Sequence, residues 1–214
     1  MQRTLSNAVI AVVDDDASVR QGLERLIRSA GVQAETFASA QEFLARRWAD
    51  PPSSLILDLQ LPGLSGLDLQ KRMAEIGLIT PIVFVTGHGN IPSSVRAMKA
   101  GAIEFLTKPF DEQALLTAIQ EAIERDRSTR EEQAARRELQ RRYESLTARE
   151  QEVMVQVISG RLNKQIAAEM SITEDTVKFH RGHMMRKMEA DSLADLVRMA
   201  QGLGIRSLQP PGVF

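Results

Sequence analysis

Four places along this 214-residue chain carry residue types that could handle a phosphoryl group: Asp14, Asp15 and Asp16 together, then Asp58, Thr86 and Lys108. The three acids follow the apolar run VIAVV. Asp58 ends SLILD, Thr86 ends PIVFVT, and Lys108 stands two residues after AIEFL. Ligands of open parallel sheets bind outside the carboxyl ends of the strands, so these loci belong round one crevice. Carboxylates crowded there repel one another unless a divalent cation shares the site, and hard oxygen donors favour magnesium, with manganese as a substitute. One carboxylate, Asp58, can then act as nucleophile and become an acyl phosphate. Lys108 is placed to meet the phosphoryl oxygens as a point charge, while the Thr86 hydroxyl donates a hydrogen bond to one of them. A single Asp at a strand end is most often a helix cap or turn residue, and Asp16, just before Ala17, reads as such a cap. Agreement among four loci at four strand ends is a different matter.

The elements that must hold these residues can be read from periodicity. Short β-branched runs at Val9–Val13, Val32–Phe37, Ser54–Asp58, Pro81–Thr86 and Ala102–Leu106 alternate with helix-length stretches at Ala17–Ala30, Ser39–Trp48, Ser65–Ile76, Ile91–Ala100 and Asp111–Ile123. Such alternation predicts a parallel sheet. Three of the runs are apolar on both faces, as strands covered by helices on either side should be. Right-handed crossovers restrict the fold to a doubly wound, flavodoxin-like α/β sandwich of five parallel strands. In the order 2-1-3-4-5 the first and third strands are neighbours, and Asp58 faces Asp14 and Asp15.

After Ile123 the stretch RDRSTREEQAARRELQRRYES has almost no apolar residues. Opposite charges at helical spacing, such as Glu138 with Arg142, support an exposed helix continuing from the one before; Leu139 and Tyr143 offer a thin apolar stripe. From Leu146 the pattern is all-helical, with starts at Thr147, Leu162 or Asn163, Thr173 and Ser192. The expected division is therefore residues 1–124, a helical linker over 125–143, a small all-α four-helix domain over 144–206, and a tail at 207–214.

Bulk properties narrow the field. With 43% hydrophobic and 26% charged residues the chain can bury a core. The absence of cysteine excludes disulfides, thiolate zinc sites and cysteine nucleophiles. No run approaches the roughly 20 apolar residues of a membrane helix, and the first residues lack a signal-peptide pattern, so no membrane partner and a cytoplasmic location are expected. The net charge of -1 hides an asymmetry: residues 1–124 hold 11 Lys+Arg against 15 Asp+Glu, whereas 176–188 hold Lys178, Arg181, Arg186 and Lys187 and no acid.

The segments VVDDDASVR, LILDLQLPGLSG, VFVTGHG and EFLTKPF resemble the receiver domain of bacterial two-component response regulators, over about residues 7–124. The resemblance implies Asp58 as phospho-acceptor, Asp14, Asp15 and the Gln60 backbone carbonyl around magnesium with Asp58, and Thr86, Phe105 and Lys108 as switch residues, Phe105 being an aromatic that turns inward behind Thr86. It implies a cis peptide bond before Pro109 and a homodimer formed on phosphorylation through the fourth helix and fifth strand. His88 would lie beside the pocket. A haloacid-dehalogenase-type hydrolase also uses a strand-end Asp on such a sheet, but it needs a second Asp two residues after the first, and Gln60 stands there.

In the C-terminal part, NKQIAAEMSITEDTVKFHRGHMMRKM reads as helix, tight turn, helix, with Thr173 capping a basic second helix. Val153, Val157, Ile166, Ala167, Met170, Ile172, Val177, Met184 and Met188 would form the core. A basic helix is more often a solvated face than a nucleic-acid reader, yet L-T-x-R-E-x-E-V, G-x-x-N-K-x-I-A and T-V-K-x-H occur together, and over residues 144–205 the chain resembles the LuxR-type helix-turn-helix of the FixJ/NarL regulators, closest to the FixJ branch. That resemblance implies double-stranded DNA contacts from Lys178, Phe179 and Gly182 toward the groove and from Asn163, Lys164, Thr176, His180, Arg181 and Arg186 toward bases or backbone. Gly182 departs from the longer or charged side chain of many relatives, and Met188–Glu189–Ala190 from the more usual Leu-Asn-Val. His180 and His183 lie three apart, but no further His or Cys nearby makes a metal site of them.

The expected function is a response regulator, phosphorylated on Asp58 by a sensor histidine kinase, that dimerises, binds promoter DNA and acts with RNA polymerase. No separate substrate is turned over. The alternative is a phosphorylation-independent DNA binder whose receiver is a passive dimerisation scaffold. A third reading, output through proteins alone, would show no salt-sensitive DNA affinity.

Overall fold

The computed structural model describes residues 8–87 and 90–206; the expectations for His88 and for the tail at 207–214 lie outside them. The chain divides into two compact units that meet between Arg130 and Glu131.

In the first unit the five strands are β1 (Val9–Val13), β2 (Gln33–Phe37), β3 (Ser54–Leu57), β4 (Ile82–Thr86) and β5 (Glu104–Thr107). They form one parallel sheet in the order β2-β1-β3-β4-β5. The helices are α1 (Ala17–Ser29), α2 (Ala40–Ala45), α3 (Gly66–Glu75), α4 (Ile91–Lys99) and α5 (Glu112–Glu144). Alternate residues of the central strands go to opposite faces. Ala11, Val13, Leu55, Leu57 and Phe84 meet Phe43, Leu69 and Met73 on one side, and Ile10, Val12, Ile56, Val83 and Val85 meet Leu23, Ile27, Leu115 and Ile119 on the other. Two-sided burial is why these strands read as unbroken apolar runs.

Most elements begin and end within one residue of the sequence expectation, and two depart from it further. β5 begins at Glu104, not Ala102, since Ala102 still closes the α4 turn by donating its N–H to the Ala97 carbonyl (3.1 Å). α2 stops at Ala45 instead of Trp48 because Arg46 turns to extended backbone (φ -67°, ψ 120°). Trp48 then packs edge-on to Phe37, with ring centroids 5.9 Å apart. The charged stretch after Ile123 continues α5 without a break to Glu144. Its first turns are tied to their own unit: Arg130 donates to Asp126 (2.7 Å), Asp50 (2.9 Å) and the Pro51 carbonyl (2.5 Å). Burial pushes the Asp126 carboxyl up from its ordinary range, against the pull of Arg130.

The second unit holds the end of α5 with α6 (Ala148–Ile158), α7 (Asn163–Met170), α8 (Glu174–Met188) and α9 (Leu193–Gly202). Its core is Leu146, Val153, Met154, Val157, Ile166, Ala167, Val177, Met184, Met188, Leu196 and Ala200. Leu139 and Tyr143 pack against that core, so the thin stripe on α5 is used within this unit. Between α7 and α8 the chain turns through Ser171 in the left-handed region (φ 54°), and Thr173 caps α8 by accepting from the Thr176 N–H (3.2 Å). No helix among the described residues is long and apolar enough to cross a membrane.

Candidate functional site

At the carboxyl edge of the sheet the polypeptide brings three carboxylates and one ammonium together. β1 runs directly into Asp14 and β3 into Asp58, and the two strands are hydrogen-bonded neighbours, the Asp58 N–H donating to the Val13 carbonyl (2.9 Å). Asp14 is 2% and Asp58 8% exposed, whereas Asp15 is open to solvent. One oxygen from each of Asp14, Asp15 and Asp58 lies within 4.8 Å of the others. The Lys108 ammonium donates to Asp14 Oδ2 (2.6 Å) and stands 3.8 Å from Asp58 Oδ2.

The acidic loop is held by its own backbone. Asp14 Oδ1 accepts from the Asp16 N–H (2.9 Å), and Arg20 reaches back from α1 to the Asp14 carbonyl (2.6 Å). Asp16 caps α1, its Oδ1 accepting from the Ser18 and Val19 N–H groups at 2.7 and 3.4 Å, as its position before Ala17 predicts. Burial raises the Asp14 carboxyl above its ordinary range, opposed by the Lys108 hydrogen bond and reinforced by Asp58. Three carboxylates against one ammonium leave two negative charges. That surplus and the all-oxygen donor set fit a divalent cation such as magnesium.

The remaining residues of the pocket follow from the adjacent strands. Thr86 ends β4 fully buried, and its carbonyl accepts from the Lys108 N–H (2.8 Å). That bond joins the third locus to the fourth. Lys108 precedes Pro109 through a cis peptide bond. Phe105 is half-buried on β5, its ring 6.0 Å from that of Phe84. Gln60 follows Asp58 by two residues, its N–H 3.4 Å from Asp58 Oδ1.

Sequence reasoning missed the residue that makes room for this pocket. Gly66 opens α3 and donates to the Leu59 carbonyl (2.9 Å); a Cβ there would lie 2.2 Å from the Asp58 carbonyl oxygen. The motif LPGLSG contains that glycine, but nothing in its spacing says which neighbour it must approach.

The second constellation lies on α7 and α8. Lys164, Lys178, Phe179, Gly182 and Arg186 are exposed, and Asn163, Thr176, His180 and Arg181 half-buried. Arg181 donates to Asn163 Oδ1 (3.1 Å), linking the two helices. Lys178 forms an exposed pair with Asp175 (2.9 Å). Such a pair contributes little to stability and leaves the ammonium available. Lys187 is different. It reaches inward to Glu150 (2.6 Å) and the Ser145 carbonyl (3.1 Å), and so drops out of the basic cluster that composition suggested. Glu150, 4% exposed, also closes the capping box of α6 with Thr147, which gives the L-T-x-R-E pattern its structural meaning. Arg142 of α5 pairs with Glu189 (2.8 Å), which ends α8 in the left-handed region (φ 55°). Hydrogen bonds from Arg141 and then Arg142 hold the Glu138 carboxyl down at about 2.

A family model described as "Response regulator receiver domain" matches residues 10–120, and one described as "Bacterial regulatory proteins, luxR family" matches residues 144–200. The chain is 51% identical to Nodulation protein W of Bradyrhizobium diazoefficiens, over 94% of this chain and 88% of that protein. It is 46% identical to response regulator protein TodT of Pseudomonas putida, over 92% and 86%. It is 39% identical to transcriptional regulatory protein FixJ of Bradyrhizobium diazoefficiens, over 92% and 96%. Among solved structures, response regulator StyR superposes with a TM-score of 0.83 at 48% identity, covering 91% of this chain and 98% of that one. Full-length FixJ from B. japonicum gives 0.57 at 39%, covering 94% and 99%.

Proposed function

The chain belongs to the two-component response regulators that join a receiver domain to a LuxR-type DNA-binding domain, and on that premise we propose that Asp58 is the phospho-acceptor whose modification switches promoter binding. The observation that carries this is the ammonium of Lys108 set between Asp14 and Asp58 at the ends of β1 and β3. The donor is the phosphohistidine of a sensor histidine kinase. An Asp58 carboxylate oxygen attacks the phosphorus, the phosphorus–nitrogen bond breaks as the new oxygen–phosphorus bond forms, and the imidazole leaves with a proton from solvent. Asp14, Asp15, Asp58 and the Gln60 carbonyl are the groups that would hold magnesium, or manganese in its place. The ion would neutralise the phosphoryl oxygens during transfer.

The phosphoryl group brings up to two further negative charges and three acceptor oxygens. Lys108 leaves Asp14 for one oxygen and the Thr86 hydroxyl donates to another. Movement of Thr86 vacates space against which Phe105 turns inward. Beside β5, Ile91, Val95 and Met98 form a stripe one turn apart on α4, 80%, 45% and 43% exposed. That stripe supports a second copy of the chain as the occupant of this face. Two readers then bind an inverted-repeat site, with Lys178, Phe179 and Gly182 toward the groove and Asn163, Lys164, Thr176, His180, Arg181 and Arg186 toward bases and phosphates, and the bound dimer meets RNA polymerase. In this reading residues 1–124 are the receiver, 125–143 a helical linker and 144–206 the reader. The protein works in the cytoplasm, turning over no substrate of its own.

Incubating the protein with radiolabelled acetyl phosphate and magnesium tests the assignment. Wild type takes up acid-stable, base-labile label and Asp58→Asn does not. Equal labelling of the two would end it.

A further inference from the structure

We propose that a cleft at the amino ends of β4 and β5, opposite the sheet edge that carries Asp58, binds a small apolar monocarboxylate, with the carboxylate on Arg125 and Thr129 of α5 and the hydrocarbon body against Met73, Leu78, Ile79 and Ile103.

The cleft holds about 220 Å³ and is lined wholly by the first unit. α3, the segment leading into β4, the turn after α4 and α5 each supply a wall. Gln70 of α3 and Thr80 are each 7% exposed and form the floor. Gln70 is already engaged, its side-chain amide donating to the Ala97 and Ala100 carbonyls at the end of α4 (3.3 Å each). Thr80 is not: its hydroxyl is buried with no hydrogen-bond partner among the described residues. Buried hydroxyls nearly always find a partner, so an orphan beside a cleft points to a group that the protein does not itself supply. Ile79, one residue before it, is 64% exposed and stands at the rim.

The rim defines the chemistry of that group. Arg125 is exposed and enters no ion pair among the described residues. Thr129 follows one turn later on α5, so its hydroxyl shares that face of the helix. A guanidinium and a hydroxyl so spaced suit a carboxylate, which accepts charge-assisted hydrogen bonds from the first and a further one from the second. Asp126 lines the same cleft but is taken by Arg130 (2.7 Å). Its negative charge opposes a dianion and so favours a carboxylate over a phosphate monoester. The apolar wall of Met73, Leu78, Ile79 and Ile103 disfavours a ligand that is polar throughout. At roughly 30 Å³ for each water-sized group, the space suits about seven non-hydrogen atoms, close to the size of a branched six-carbon acid.

The probes are isocaproate and its uncharged amide, isocaproamide, titrated into isotope-labelled, unphosphorylated full-length protein and followed by amide chemical shifts. Wild type is compared with Arg125→Gln and Ala74→Phe; Ala74 is exposed on α3 and lines the cleft, so a ring there takes the ligand's place without entering the core. In wild type the Ala100, Gly101 and Thr129 amides should shift saturably with isocaproate, with a Kd on the order of 1 mM. Isocaproamide should bind wild type at least about tenfold more weakly, as should isocaproate bind Arg125→Gln, since each change removes a charge-assisted bond. Ala74→Phe should bind neither probe. Both variants should melt with wild type, and either one that does so decides the matter alone. No saturable shift in wild type at about 20 mM isocaproate, twentyfold the expected Kd, would overturn the proposal. So would equal affinity for acid and amide, or binding that both substitutions leave unchanged. Neither DNA nor phosphorylation enters the test, so the function proposed above stands or falls separately.

Discussion

Replacing Gly66 by alanine should damage phosphoryl transfer without touching any group that handles phosphate. The added Cβ would sit 2.2 Å from the Asp58 carbonyl oxygen and 3.1 Å from Leu59 Cα, against a floor of 3.0 Å that real Cβ atoms respect. Main chain must therefore yield by about 0.8 Å, since both neighbours are backbone and neither can swing aside. The first turn of α3 is fixed by its cap at Ser65, whose hydroxyl accepts from the Asp68 N–H (3.2 Å), and by the Gly66 to Leu59 hydrogen bond (2.9 Å). Part of the shift falls on the end of β3. Displacing Asp58 by something near 1 Å relative to Asp14 and Lys108 should slow acyl-phosphate formation by up to ~100-fold, and overpacking should cost about 1–3 kcal/mol of stability. Initial labelling rates with acetyl phosphate at saturating magnesium, beside a thermal melt, measure both. A Gly66→Ala protein that labels within twofold of wild type and melts with it would refute the reasoning that this close approach positions the acceptor.

Other outcomes follow from the same geometry. Glu150 is buried, yet hydrogen bonds from Lys187 and Thr147 outweigh that burial and hold its carboxyl below the ordinary glutamate range. Its stabilising contribution is therefore present above the unfolded-state pKa and lost as pH falls through the folded one. Glu150→Gln should lower stability to denaturant at pH 7, and the deficit should shrink as pH falls below about 4.5; a deficit equally large at pH 3 would contradict the pairing. Removing divalent cations with a chelator should stop labelling of Asp58 and lower the thermal midpoint, because an ion held only by the folded state stabilises it by mass action. A midpoint indifferent to millimolar magnesium would argue against the acidic cluster as a cation site.

What could be read from the sequence was whatever has a local signature. The apolar runs that end in Asp14, Asp58 and Thr86 announce buried parallel strands, and the caps Asp16, Thr147, Thr173 and Ser192 mark helix starts within a residue of where they fall. Long-range partners could not be read that way. Lys187 looks like one more cation of a basic helix until Glu150, 37 positions away, is seen beneath it. Gly66 is one of several turn glycines until Asp58 lies against it. Leu139 and Tyr143 are too few to announce a seam, and their use in the reader core depends on how α5 packs there. Likewise β5 slips by two residues because the turn after α4 keeps Ala102 for itself, a backbone hydrogen bond that residue type does not encode.

The most direct test of the central claim is sedimentation of wild type and Asp58→Ala with magnesium, with and without acetyl phosphate, in parallel with binding to promoter fragments. Wild type alone should dimerise on treatment and tighten on DNA. Identical behaviour of the two proteins would show that Asp58 is no switch and would leave the receiver a passive scaffold.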